Sequence, residues 1–428
     1  MSAPLLFRNV TVIDPGSEFH ERPADVLIEG THVSQVKPGG TLSPEQANVV
    51  DIPGACISPG WVDMMVYLSD PGYEWKETLT ELAQAAQSGG FTQVLCTANT
   101  QPVVDNRQIL ESLLLRTKGL PTELWLTGTL TVGAKGEDLA EVHDMHLAGA
   151  VAFGDGDHPV QKPGVVLRAL QYLKPFEGLL ISYPEDRSLS TGGQMNEGEV
   201  SVRLGFKGIP VLAESLAVAR DLDVWTYTGG KIHFQPLASV EATSRVFSHK
   251  KAGTLSTGTA IYYLVLTDES LETFDPIFKL FPPLRNHAQQ QALLSAIKEG
   301  QIDTLGSGHR AQALEEKDVE FEIAEPGMLG LQTFFPLANA ALIDTRIISL
   351  GRLIEMIALN PRKILGKTPV SVQKGSIADF TLFDPLGEWI YQSSQIPSRS
   401  KNSPFIGQSF KGKVWGTCLK GTWQPSVF

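Results

Sequence analysis

Short apolar runs bounded by turn residues open the chain. Residues 5–13, 25–28 and 32–36 are β-rich and are separated by Pro, Gly and Asp. The same texture returns at 377–383 and 412–419. The two ends therefore predict one small composite β-sandwich domain, residues 1–56 plus 368–428. Between about Ser58 and Gly366 the pattern changes, and apolar runs alternate with helical windows. Strands are expected at 60–66, 93–97, 124–129, 150–153, 179–183, 210–213, 231–235 and 303–307. Helices are expected at 75–88, 105–117, 163–173, 215–223 and 288–298. Apolar strands alternating with helices mark parallel βα units. Around eight such units in about 300 residues predict an α/β chain whose residues 57–367 close into a (β/α)8 TIM barrel. In that fold, chemistry sits where the strands end. The segment 392–404, rich in Ser and Pro, reads as a surface loop.

Composition narrows the function more than the fold. The 428 residues carry 42% hydrophobic and 19% charged side chains, which is ordinary for a folded soluble protein. A formal charge of −12 argues against nucleic acid, whose phosphates select basic faces. Cys56, Cys96 and Cys418 are too few and too scattered for a disulfide framework or a thiolate metal site. No apolar run approaches the roughly 20 residues that span a bilayer, and Met1 to Asp14 lacks a signal-peptide pattern. No membrane is expected, and a cytoplasmic location is.

The residues at and beyond the strand ends form an ordered set. It comprises Ser58-Pro59-Gly60-Trp61-Val62-Asp63, Asp70-Pro71-Gly72, Cys96-Thr97-Ala98-Asn99-Thr100-Gln101-Pro102 and Ala152-Phe153-Gly154-Asp155. Further on stand Gly193-Gln194-Met195-Asn196-Glu197-Gly198, Pro282-Pro283-Leu284-Arg285, Asn360-Pro361-Arg362-Lys363-Ile364-Leu365-Gly366, Lys374-Gly375-Ser376-Ile377-Ala378-Asp379 and Asn402-Ser403-Pro404-Phe405. Each is weak alone, but the set spans nearly the whole chain. It resembles the dihydroorotases of the cyclic amidohydrolase superfamily, in the class that associates with aspartate transcarbamoylase.

The resemblance implies an amidohydrolase-type barrel and a demanding chemistry. Hydrolysis of a cyclic amide uses a zinc-bound hydroxide, because zinc lowers the pKa of water to roughly 7. It also uses a carboxylate to carry the proton to the leaving nitrogen. This sequence departs from the family at those positions. The His-x-His ending the first barrel strand reads Met65 and Tyr67, the substrate-pairing arginine is Ser69, and a further histidine is Tyr183. The histidine expected three residues beyond His233 is Pro236, and the catalytic aspartate is Gly308, followed by His309-Arg310-Ala311-Gln312. The family's Pro-His-His-Leu reads Ile261-Tyr262-Tyr263-Leu264, and the asparagine before Pro282 is Phe281. A thioether is soft and neutral, and a phenol stays protonated near neutral pH. The expectation is a barrel mouth filled by aromatic and apolar side chains, with no catalytic residue at Met65, Tyr67, Tyr183, Pro236 or Gly308.

Some survivors could still bind something. Asn99 matches a family substrate contact, Arg285 and His309 are candidate relics of substrate binding, and Asp63, Asp155 (with Asp157) and His233 are weak metal candidates. A strand-end Asp is more often a turn or cap, and a lone buried histidine is more often satisfied by its neighbours. His143-x-x-His146 has helical spacing in an acidic stretch and reads as solvent-facing. The expected function is that of a catalytically inactive dihydroorotase homologue in pyrimidine biosynthesis. It would need no cofactor, form a homo-oligomer and serve as a structural or regulatory partner of aspartate transcarbamoylase. Two alternatives stand beside it. One is an active dihydroorotase with an atypical zinc site. The other is a small-molecule-binding or self-assembling protein like the dihydropyrimidinase-related proteins.

Overall fold

A computed structural model describes residues 3–43, 46–250 and 253–427. Eight strands run parallel in chain order: Trp61–Val66, Phe91–Cys96, Glu123–Gly128, Ala152–Phe153, Leu179–Ser182, Lys231–Phe234, Leu255–Ala260 and Thr304–Gly306. An isolated parallel bridge between Val66 and His309 brings the eighth strand's exit back against the first and nearly closes the barrel. Seven of the eight strands expected from the pattern are present. The window at 210–213 is instead the start of an 18-residue helix, Val211–Thr228. That helix buries Ala213, Glu214, Ala217, Val218, Asp221, Leu222 and Trp225, a helical period that the four-residue window was too short to display. The strand missing from the expectation is Leu255–Ala260, whose sequence LSTGTA has no aliphatic run although every residue is buried.

Local chemistry sets the helix starts. Thr78 caps Leu79–Ser88 through a reciprocal box with Glu81, which places the helix four residues after the expected start. Asn106 caps Arg107–Arg116, Ser239 caps Val240–Ser248, and Asn286 caps His287–Lys298.

Both chain ends build one hydrogen-bonded sheet. Its order is Thr422–Pro425, Ser409–Leu419, Phe380–Ile390, Cys56–Pro59, Leu5–Val12, Pro23–Glu29 and His32–Pro38, with Asn48–Val50 also pairing to Leu5–Val12. Cys56–Pro59 is the hinge of the two domains, since the first barrel strand begins two residues later. The segment 392–404 is more than a surface loop, because Ser398, Ser400, Asn402 and Ser403 are buried. Asn402 donates to the carbonyls of Arg310 and Gly327, at 3.0 and 3.1 Å, and accepts from the Gln312 N–H at 3.1 Å. A loop from the terminal domain thus fixes the chain leaving the eighth barrel strand.

The floor of the barrel is joined to the terminal sheet by rings and one buried cation. Trp61 is fully buried against Phe91, Phe335 and Phe383 and donates its indole N–H to Ser58 Oγ at 3.0 Å. Gly90, at φ +93°, lies so close to that ring that a Cβ would stand 2.7 Å from it. Arg362 donates to the carbonyls of Gly60 (2.6 Å) and Ala358 (2.9 Å) and to Gln93 Oε1, while Gln93 donates onward to Asp379. Burial pushes the Arg362 pKa down to about 10, so it stays charged at neutral pH. Arg362→Met would take the guanidinium donor from the Gly60 and Ala358 carbonyls and leave Gln93 Oε1 with the Thr92 hydroxyl alone, and each buried orphan costs about 1–3 kcal/mol. Urea unfolding should lose about 3 kcal/mol of stability. An unchanged midpoint would mean that the cation is dispensable.

Candidate functional site

Every barrel strand sends a residue to a cavity at the C-terminal end of the sheet. The first contributes Met65 and Tyr67, the fifth Tyr183, the sixth Gln235 and Pro236, the seventh Tyr262 and Tyr263, and the eighth Gly308 and Arg310. Phe281 and Leu280 cover it from the loop after the seventh strand. The structure therefore brings together all five positions where the resemblance expects catalytic groups. What remains between the side chains is a cavity of about 60 Å³. That space suits a few waters, and a wider cleft of about 450 Å³ adjoins it, with Asp157, Tyr183, Phe281 and Arg310 in its lining.

An ion pair closes this mouth. Asp157 follows the fourth strand and Arg310 the eighth, so their elements face each other across the barrel, and the two charges meet at 2.7 Å. The Arg310 guanidinium also lies over the Tyr67 ring, 4.8 Å from its centroid. Asn99 donates to Asp157 at 2.7 Å, which leaves its own buried Oδ1 without a partner among the described residues. Burial works against both charges, but the mutual attraction wins. Asp157 is held well below the usual carboxylate range, with His158 adding to the effect of Arg310, and Arg310 is raised above its ordinary value. Burial drives the Tyr67 and Tyr183 phenols upward, with Asp157 and neighbouring phenols reinforcing it. Both hydroxyls are neutral at physiological pH.

The surviving histidines are satisfied by protein. His233 is fully buried between Ser256 Oγ (2.8 Å) and Gln235 Oε1 (2.9 Å). Gln235 donates its amide N–H to the Met64 carbonyl at 2.7 Å, which turns its oxygen toward the imidazole. His233 Nε2 therefore donates and Nδ1 accepts, the pattern of a neutral ring. Burial pushes its pKa down to about 4. His309 Nδ1 accepts from the Gly330 N–H (3.3 Å), and its Nε2 donates to Glu77 at 3.0 Å in a buried pair. Neither ring has a lone pair free for a metal.

The remaining candidates sit in structural bonds. Asp63 accepts from the N–H groups of Met65 (2.8 Å) and Ser307 (3.0 Å), tying the first strand to the eighth. Burial raises its pKa. Asp155 accepts from Leu130 N–H (2.7 Å), Thr131 N–H (2.9 Å) and the Thr131 hydroxyl, and burial raises it too. Arg285 lies outside the cavity lining, in a core cluster with Asn196, the Ile209 carbonyl and Glu214. His143 is exposed, whereas His146 is half-buried and packs on Phe176 with ring centroids 4.5 Å apart.

Zinc does not fit these residues. Tyr67 and Tyr183 are neutral, Pro236 has no donor, and among the described residues no group of three His, Cys, Asp or Glu could hold a metal. A side chain at Gly308 would also be strained and crowded. The glycine φ is +65°, and a Cβ would stand 3.1 Å from Ala260 and 3.2 Å from the Tyr262 ring. The feature that sequence reasoning missed is Arg310. Its only signal was a guanidinium next to a strand end where the resemblance expects an acid and a histidine.

Comparison with known proteins gives a consistent picture. Residues 54–242 match the family model described as dihydro-orotase-like. A dihydroorotase from Syntrophus aciditrophicus is 36% identical over 419 residues, covering 97% of this chain and 98% of that protein. One from Pelobacter propionicus is 37% identical over 420 residues with the same coverage. In architecture the chain is similar to the L-hydantoinase of Arthrobacter aurescens, with a TM-score of 0.85 and 22% identity over 99% of this chain and 96% of that one.

Two measurements test the site. In a double-mutant cycle of Arg310→Ala and Asp157→Asn, urea unfolding should give a coupling of about 2 kcal/mol. A value below about 0.5 kcal/mol would place the pair with ordinary surface ion pairs. The second concerns pH. The folded pKa of His233 lies below its ordinary 6.5, so its contribution is full above pH 6.5 and is lost as pH falls through about 4. Between about pH 7 and pH 4 the stability advantage over His233→Gln should shrink by about 3 kcal/mol. A gap constant with pH would contradict a buried neutral ring.

Proposed function

Since the chain belongs to the dihydroorotase-like family, we propose that it is a non-catalytic member that serves pyrimidine biosynthesis as a structural or regulatory partner of aspartate transcarbamoylase. The observation that carries the first half is the barrel mouth. Its metal-ligand positions hold a thioether, two neutral phenols and a proline, and an Asp157–Arg310 pair stands across it. Removing one essential group from a cooperative site costs orders of magnitude in rate, and here several are replaced together. The partnership rests on the resemblance, since fold alone does not fix function.

One competing reading is an active hydrolase of dihydroorotate, favoured by the names of the relatives at 36–37% identity. It requires ligands outside the positions discussed above. No specific observation favours a small-molecule or self-assembling role.

Purified protein supplied with zinc should show no dihydroorotate turnover and no stoichiometric metal by elemental analysis, yet should co-sediment with aspartate transcarbamoylase of the same organism. Turnover with bound zinc would overturn the non-catalytic reading. Independent sedimentation of the two proteins would overturn the partnership.

A further inference from the structure

Apart from the main core stands a satellite apolar cluster. Met195, Val200, Leu271 and Phe321 are buried in it, and Phe206 and Phe278 are partly buried against them. Near it, Val202 exposes 82% of its surface and Phe274 47%. The Phe274 ring meets Phe206 edge-on with centroids 5.6 Å apart. Helix Glu199–Leu204 packs beside the 3-10 turn Asp268–Thr273, so Val202 and Phe274 belong to one surface. On the helix, Glu199, Val202 and Arg203 share a face by their spacing.

Phe274 is the unusual member. It closes the 3-10 turn at φ +58°, ψ 16°, a left-handed conformation that Gly or Asn adopts readily and a bulky aromatic avoids. The chain thus holds a half-exposed phenyl ring in a strained backbone position, and the exposed half gains nothing from the fold. Strained residues persist where the surrounding structure fixes them, and they are enriched at functional sites. The rim around the ring is acidic. Glu199, Glu269, Glu272 and Asp275 are exposed there; the exposed Arg203 is paired with Glu199 and Glu272, and Lys317 is buried against the Pro276 carbonyl.

We infer that this patch is a protein-docking surface with Phe274 as its anchor, and that its occupant is a protein subunit presenting an apolar pocket rimmed by Lys and Arg. Aromatic anchors surrounded by polar rims are where binding energy concentrates. A second copy would set one acidic rim against another in a chain of formal charge −12, and an anionic membrane would be repelled for the same reason. Two side chains cannot bury the roughly 800 Å² per partner of a specific interface, so the patch is the apolar centre of a larger contact. The inference deepens the partnership proposed above and rests on it.

The test uses the full chain and aspartate transcarbamoylase of the same organism, with affinity measured by calorimetry and folding by thermal unfolding. Phe274→Gly should weaken the complex about tenfold or more while leaving the unfolding midpoint unchanged or raised. Val202→Asp should weaken it as well, and Glu269→Lys should weaken it and flatten the salt dependence of association. Unaltered affinity in Phe274→Gly and Val202→Asp would overturn the docking role. A midpoint that falls together with affinity in Phe274→Gly would also overturn it, because the ring would then be part of the core. If the unaltered chain forms no complex, the partnership itself fails and this inference fails with it.

Discussion

Asp157 and Arg310 reach from opposite walls of the barrel and meet at 2.7 Å. Much of the mouth is arranged around that contact. A closed eight-stranded barrel has a hollow at the C-terminal end of its strands, and polar groups turned into the hollow need partners or water. Arg310 supplies a charge for Asp157, a cation for the Tyr67 ring and bulk beside Tyr183 and Phe281. Its backbone is in turn held by Asn402 from the terminal domain. The composite sheet is therefore coupled to the mouth by hydrogen bonds as well as by the aromatic floor under Trp61.

The fate of the histidines follows from the same constraint. A neutral imidazole buried without partners is costly, so it must either leave or be bonded by protein. Where the resemblance expects four histidines, the chain has Met65, Tyr67, Tyr183 and Pro236. Those that remain, His233 and His309, use both ring nitrogens in protein hydrogen bonds. Gly308 adds a steric lock, since a side chain there meets Ala260 and Tyr262. On this account, restoring one ligand by substitution would not rebuild a metal site. The barrel's own side chains stand in that space.

The fold was legible because its signal is repeated: seven buried strands announce themselves as aliphatic or aromatic runs between helical windows. The exception is instructive. Leu255–Ala260 is built from Ser, Thr and Gly and is identified as a strand only by its partners on either side. Pro210, by contrast, marks a helix start that a short apolar window disguised as a strand. At the site, the positions lining the cavity were legible from the motif order, because strand ends are fixed by the topology. The Asp157–Arg310 pairing was not, since the two residues are far apart in sequence and neither type is unusual at a strand end. The role of Asn402 was hidden for the same reason, inside a Ser- and Pro-rich stretch whose composition suggests solvent.

The central claim is that the protein's own side chains occupy the barrel mouth where the family's zinc would sit. Anomalous diffraction at the zinc absorption edge, from crystals grown with excess zinc at neutral pH, tests it most directly. The account predicts no anomalous peak among Tyr67, Tyr183, His233 and Gly308, with the Arg310 guanidinium resolved against Asp157. A strong peak there, with Arg310 swung away and His233 turned onto the metal, would contradict it.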